Sequence, residues 1–226
     1  MIKNIIIGAG GHCRAVIDAL DLNGIKIECI LDLNYNSRNK SNYVFKYKVI
    51  GGVEKIKNYQ NEKINLYLAI GDNHTRKKIF KNLNNKSYNF PSLIHPNTIV
   101  SSKAKIKKGA FINVGAIINA GAIINEFSIV NTASIIDHET KIGSFSQICP
   151  GCTLAGRVNI GAESFIGIGT NIIDNIKLTR NIIIGAGSTV INSIDKSGTY
   201  AGTPTKKIKW FICRVAVLRK DKLKKI

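Results

Sequence analysis

The sequence predicts a chain in two parts: an α/β unit holding a small parallel sheet, followed by a parallel β-helix. Three observations carry this reading. An aliphatic residue recurs at every sixth position over ninety residues, and a second set of small residues runs in step with it. The first ninety-five residues instead alternate short apolar runs with helix-like segments.

The α/β part comes first. Residues 2–7 (IKNIII) read as a buried strand, Gly8-Ala9-Gly10-Gly11 as a glycine turn, and 12–22 as a helix. Residues 26–32 and 64–70 read as further strands, and 73–84 as a second helix. Strands and helices alternating at this spacing build a parallel sheet with helices on its faces. Pro91 and Pro96 punctuate the passage into the repeat. The expected division is 1–95, 96–195 and a tail, 196–226.

The repeat starts at Val100. Steps of six give Ile106, Ile112, Ile118, Ile124, Val130, Ile136, Ile142, Ile148, Leu154, Ile160, Ile166, Ile172, Leu178, Ile184 and Val190, all aliphatic and without an insertion. Four residues after each lies the second series: Ala104, Ala110, Ala116, Ala122, Ser128, Ser134, Thr140, Ser146 and Cys152, loosening at Val158, Ile176 and Ile182. A period of six suits neither a helix at 3.6 nor a simple strand at 2. It matches a solenoid in which each hexad is one short strand and one corner, three hexads closing a triangular coil. Aliphatics then stack inside the prism, and residue n+18 lies one inter-strand spacing, about 4.8 Å, from residue n.

Gly198, Gly202 and Pro204 end the repeat. From Lys206 the tail carries nine Lys or Arg residues around an apolar stretch from Trp210 to Leu218. It reads either as a terminal helix on the coil end or as an interfacial segment making weak contact with acidic lipid.

Composition narrows the function classes. The chain is 44% hydrophobic and 21% charged, which is globular, and no apolar run approaches the length of a membrane span. The N-terminal apolar run is short and reads as a strand, not a signal peptide. A net charge of +19 suits a surface that attracts polyanions, phosphorylated cofactors among them, or reflects a Lys- and Asn-rich composition. Five cysteines without scaffold spacing suit a reduced, cytoplasmic chain. Cys149 and Cys152 form a lone C-x-x-C and read as small corner residues. With no second pair and no histidine cluster, no metal is expected.

Of four histidines, only His138 lies in the repeat, two residues after the inward Ile136, so its side chain projects outward. Eighteen residues on is Gly156. A glycine there leaves a backbone N–H open to a ligand, and a base beside an exposed amide suits acyl transfer, the amide meeting a thioester oxyanion. Pairing of that N–H inside the coil ladder would remove the idea.

Several segments in order resemble one family. IIIGAGGHCRAVIDAL, YLAIGDNHTRKKIF, LIHPNTIV, VNTASIIDHETKIG, CTLAGRVNIG, IIIGAGSTVI and AGTPTKKI make the chain, through about residue 209, similar to the NeuD/PglD hexapeptide-repeat acetyltransferases. The resemblance implies a left-handed β-helix behind a Rossmann-like, nucleotide-sugar-binding domain. It implies acetyl-CoA as co-substrate and a homotrimer, with no nucleic acid as partner. His138 would be the general base and Glu139 the acid that orients it, with the Gly156 amide on the acetyl carbonyl. Ile168 and Ala186 would line the cofactor path between subunits, and Asn131 would lie near the sugar. Gln147 stands where many members carry a second histidine that contacts acetyl-CoA; glutamine still donates a hydrogen bond there.

The resemblance also implies a nucleotide-sugar pocket of Gly8, Gly10, Gly11, His12, Asp32, Gly71 and Asn73. Spacing alone leaves that turn open between phosphate binding and tight packing, because Cys13 replaces the third glycine of a dinucleotide fingerprint. The expected reaction is N-acetylation of a nucleotide-linked 4-amino-4,6-dideoxysugar for a bacterial surface glycan or glycoprotein. The alternatives are a sialic acid O-acetyltransferase and a non-catalytic scaffold that holds nucleotide sugars. A metal-dependent coil enzyme would need three histidines, and a nucleotidyltransferase a longer N-terminal domain.

Overall fold

The structure, a computed structural model, describes residues 2–35, 42–59, 62–83 and 88–208. The apolar part of the basic tail, from residue 209 onward, lies outside the described residues, as does Cys213.

The N-terminal unit contains β1 (Lys3–Ile7), α1 (Gly11–Leu22), β2 (Ile27–Leu31), β3 (Tyr43–Val44), β4 (Tyr47–Gly51), a 3₁₀ helix (Val53–Tyr59), β5 (Ile64–Leu68) and α2 (Asn73–Leu83). The sheet order is β3-β4-β2-β1-β5, parallel except for the β3–β4 hairpin. β1 lies inside the sheet, between β2 and β5, and is buried on both faces, which is why its sequence is a continuous isoleucine run. Ile6 packs against Val16, Ile17 and Leu20 of α1, while Ile5 and Ile7 face Ile79 and Leu83 of α2. The hairpin and the 3₁₀ helix are additions to the sequence reading. Their strand of alternating Tyr47, Val49 and Gly51 is short, and its place beside β2 is a tertiary choice.

The repeat folds as a left-handed parallel β-helix of two-residue strands. Between Leu93 and Val190 neighbouring strands of a face are paired at a step of 18 residues, as in Ile135↔Ile117 and Ile135↔Thr153. The strands stack into three faces, which we name by a central residue. The Ile135 face runs from Ile99–Val100 to Thr189–Val190, and the Lys141 face from Lys105–Ile106 to Lys177–Leu178. The Gln147 face begins at Leu93–Ile94, so the inward series opens one hexad before Val100, and it closes with the antiparallel pair Gly198–Ala201 and Lys206–Lys207. The inward aliphatics from Ile112 to Val190 form one core column.

Three corners join the faces, named here for His138, Phe145 and Ile168. In each hexad from Ile106 to Ile184 the third residue after the inward aliphatic turns left-handed. Examples are Glu139 (φ 57°), Arg157 (58°) and Asn175 (60°) at the His138 corner, and Phe127 (56°) and Phe145 (59°) at the next. A non-glycine residue there costs roughly 1–2 kcal/mol, and the ladder on either side holds it. The small residues that follow do more than save space. Ser134 Oγ donates to Cys149 O (2.8 Å), Thr140 Oγ1 to Ala155 O (2.9 Å) and Ser146 Oγ to Gly161 O (3.0 Å), so each hydroxyl satisfies a carbonyl inside the coil. Cys149 and Cys152 are buried corner residues.

The α/β unit sits on the Gln147 face and the Phe145 corner. Phe111 and Ile129 point out of that face and are buried with α1 residues. At the corner Phe127 stacks on Phe145 (centroids 5.1 Å, 7°), with Phe80 of α2 against Phe127 at 4.2 Å. Arg76 fastens this junction. Its side chain is buried, and it donates from Nε to Phe127 O (2.9 Å), from Nη1 to Ile70 O (2.7 Å) and Gly71 O (2.9 Å), and from Nη2 to Phe145 O (3.2 Å) and Asn73 Oδ1 (2.8 Å). Burial pulls its pKa down to about 9, which leaves it charged at neutral pH. A second bridge runs from Lys77 Nζ to Glu163 Oε1 (2.6 Å) and on to Arg180.

Candidate active site

The His138 corner begins with the backbone. Ile136 points into the core, and Asp137 Oδ1 accepts both the His138 N–H (2.7 Å) and Asn119 Nδ2 from the coil before (2.7 Å). The Asn119 amide, and after it the His138 N–H, hold the Asp137 carboxyl below its usual range. With its main chain fixed, the imidazole is half-exposed and lies directly over Gly156. A Cβ at Gly156 would collide with Cε1 and Nε2 and come within 3.0 Å of Nδ1. Glycine is required there by close approach, since its φ lies outside the left-handed region.

The neighbours of Gly156 are fully engaged in the ladder. Ala155 N–H bonds Ile172 O (3.0 Å), Arg157 N–H bonds His138 O (2.9 Å), and Gly156 O accepts from Asn175 N–H (3.0 Å). The Gly156 N–H has no partner among the described residues. The sequence explains this. The corresponding N–H of His138, one coil earlier, is capped by Asp137, whereas Ala155 has no side-chain oxygen with which to cap Gly156. An imidazole and an uncapped amide donor therefore stand one ladder step apart.

Glu139, turned outward by its left-handed backbone, sets Oε2 3.4 Å from His138 Nδ1 and 3.8 Å from Arg157 Nη1. Arg157 Nε in turn donates to Asn175 Oδ1 (2.8 Å). With Nδ1 facing Glu139, Nε2 is left for a ligand. Both charges are well exposed, so the ion pairs orient more than they stabilise.

The remaining residues lie elsewhere on the prism. Asn131, Ile168 and Ala186 share the Ile168 corner, a whole Ile135 face away from His138. Asn131 Oδ1 accepts from Asn113 Nδ2 and from the Thr132 N–H, both at 2.9 Å, and Ile168 is 60% exposed, a large apolar side chain in solvent within one chain. Gln147 lies mid-face between Ile129 and Phe165, with Nε2 3.9 Å from Cys149 Sγ.

In the α/β unit, Gly8, Gly10, Gly11, Asp32 and Gly71 gather at the C-terminal ends of β1, β2 and β5, where open parallel sheets take their ligands. Gly8 (φ 108°) lets the turn pass Ala69, whose carbonyl oxygen would stand 2.8 Å from any added Cβ. Asp32 Oδ2 accepts the Ala9 N–H (2.6 Å), while Gly10, Gly11 and Gly71 border open space. His12 and Asn73 turn towards the coil instead. Asn73 is engaged by Ser164 O (3.0 Å) and Arg76. His12 meets Phe111 edge-on at 5.1 Å, and burial, followed by the Arg76 charge, pulls its pKa down to about 4. Its Nε2 is buried without a hydrogen bond among the described residues. Among the described residues no group of three His, Cys, Asp or Glu side chains could hold a metal, and no helix is long and apolar enough to cross a membrane.

Sequence reasoning missed Arg76 and the Asp137–Asn119 pair. A signal for the second was present in the 18-residue step from Asn119 to Asp137; nothing in the local pattern marks Arg76 as buried.

Comparison with known proteins agrees with this anatomy. The PglD N-terminal domain model matches residues 3–83. The acetyltransferase domain of PglB from Neisseria gonorrhoeae FA1090, also solved with acetyl coenzyme A, is 31% identical, with a TM-score of 0.83 over 91% of this chain and 99% of that one. PerB from Caulobacter crescentus, in complex with CoA and GDP-perosamine, is 28% identical, with a TM-score of 0.85 over 92% and 97% of the two chains. The perosamine N-acetyltransferase of that organism has also been solved with a histidine replaced by alanine or by asparagine. A curated sequence, uncharacterized protein L142 of Acanthamoeba polyphaga mimivirus, is 35% identical over 108 residues; the match spans 47% of this chain and 20% of that protein. The Rossmann-like unit, the left-handed β-helix and a likeness running end to end along the PglB domain lead to one conclusion: the chain belongs to the PglD/NeuD-like family of hexapeptide-repeat acetyltransferases.

Proposed function

We propose that this protein transfers acetyl from acetyl-CoA to the amino group of a nucleotide-linked 4-amino-4,6-dideoxysugar, with His138 as general base, in the cytoplasmic assembly of a surface glycan or glycoprotein. The observation that carries it is the imidazole of His138 over Gly156, whose N–H is uncapped. A sugar amine is mostly protonated at neutral pH, so one proton is lost to solvent as the free amine forms, and a base must take a second as the amide forms. In this reading the neutral amine nitrogen attacks the thioester carbonyl while His138 Nε2 takes one of its remaining protons. The oxyanion accepts a hydrogen bond from the Gly156 N–H; as it collapses the C–S bond breaks, and the departing thiolate takes the proton from the imidazolium. One such donor is worth roughly 10²–10³ in rate. Glu139 holds Nδ1 through the transfer.

The likeness to a protein solved with CoA and GDP-perosamine supports the substrate class. The placing of Ile168, Ala186 and Asn131 a full face from His138 supports a homotrimer, in which a neighbouring copy brings its Ile168 corner to the His138 corner. The glycine turn, Asp32 and Gly71 then hold the nucleotide.

Thiol release from acetyl-CoA, with GDP-perosamine and other nucleotide-linked amino sugars as acceptors and free sialic acid beside them, tests this. Release with an amino sugar, lost by orders of magnitude in His138→Ala, is expected. Release with sialic acid alone, or near-normal turnover in His138→Ala, refutes the reaction or the base respectively.

A further inference from the structure

The coil uses one hydrogen-bonded device at two successive corners. At the Ile168 corner, Asn113 Nδ2 donates to Asn131 Oδ1, which also accepts the Thr132 N–H, both at 2.9 Å. Six residues on, at the His138 corner, Asn119 Nδ2 donates to Asp137 Oδ1, which also accepts the His138 N–H, both at 2.7 Å. These two bonds and their spacing are shared, although Asn113 also donates to Thr132 Oγ1 and accepts the Val114 N–H, both at 2.9 Å. An asparagine therefore suffices to build this corner, because only an acceptor oxygen is used. The negative charge at position 137 is surplus to the fold, and it adjoins His138.

We propose that Asp137 is a positioning residue for His138: it fixes the imidazole over Gly156 through the main chain, and its charge stabilises the imidazolium formed on proton uptake. This rests on the reading of His138 as the base. The other charged groups at this corner are Glu139 and Arg157, with Lys103 and Asp174 on the coils to either side. Glu139 shares its charge with Arg157 at 3.8 Å, whereas among the described residues Asp137 forms no ion pair with a lysine or arginine. Its two amide donors keep it ionised throughout the range in which a histidine titrates.

The test is a ¹⁵N-imidazole NMR titration of the full chain, wild type against Asp137→Asn, with His138→Gln identifying the resonance. Asp137→Asn is expected to melt as the wild type and to lower the His138 midpoint by about 0.5–1 pH unit. The acid limb of the acetyl-transfer profile should move by the same amount, with KM for acetyl-CoA unchanged. An unmoved midpoint in Asp137→Asn overturns the proposal. So does failure of that variant to fold, because an amide would then not replace the carboxylate. The titration needs no turnover, so a His138→Ala enzyme that remained active would refute the base while the Asp137 result stood separately.

Discussion

Gly156→Ala separates the fold from the chemistry more sharply than any other change. The added methyl would collide with His138 Cε1 and Nε2, so the ring must leave its place. Two observations say it can do so cheaply: the imidazole is half-exposed, and its one side-chain partner among the described residues is Glu139 at 3.4 Å. The backbone tolerates alanine, since Gly156 does not adopt the left-handed conformation. Reduced freedom of the unfolded chain even favours the variant by about 0.4–1 kcal/mol. Stability should thus change by no more than about 1 kcal/mol. Activity should not survive. An angstrom-scale displacement of a positioned group costs about 10²-fold, and complete loss of a general base 10²–10⁴-fold. At about 1.4 kcal/mol per decade, the barrier should rise by roughly 3–5 kcal/mol. Steady-state thiol release, with a thermal melt on the same sample, measures both quantities. The double variant Gly156→Ala/His138→Ala should be no slower than His138→Ala, because both changes remove the same contact. Near-wild-type kcat in folded Gly156→Ala would refute the placement of His138 as the base.

Two further outcomes concern the junction of the two units. Arg76→Ala strips donors from the Phe127, Phe145, Ile70 and Gly71 carbonyls inside a buried site, so denaturant or thermal unfolding should show a loss of about 3–5 kcal/mol; a loss under 1 kcal/mol would refute its role as the fastening. His12, with a folded pKa of about 4 against an ordinary 6.5, protonates more readily in the unfolded chain, so its contribution is complete above pH 6.5 and declines as pH falls towards 4. The decline should approach about 3 kcal/mol at its lower end, and His12→Gln should flatten stability between pH 7 and 4.5; an equally steep profile in that variant would sink the assignment.

Local pattern was enough for the elements that repeat. A six-residue period has one low-energy solution in which every aliphatic is buried and every strand is paired, and the 18-residue step then places Gly156 under His138 without reference to the rest of the chain. β1 was legible for the same reason, since only a doubly covered parallel strand needs three successive buried isoleucines. The sequence also held, unread, the ladder of Asn119 and Asp137, because the same 18-residue step that predicts Gly156 predicts that pair.

The tertiary structure decided what depends on contacts between segments far apart in the chain. Arg76 looks like a surface residue of an amphipathic helix until the Phe145 corner surrounds it with carbonyls, and nothing local to Asn73 announces its bond to the Ser164 carbonyl. The β3–β4 hairpin carries too few residues to declare its partner. Periodicity determined the prism and the imidazole over its glycine, since those are nearest-neighbour relations along a solenoid. The seating of the α/β unit, the neutral, half-buried His12 and the separation of the Ile168 corner from His138 were decided only in three dimensions, where desolvation and hydrogen-bond satisfaction act between surfaces that no local pattern brings together.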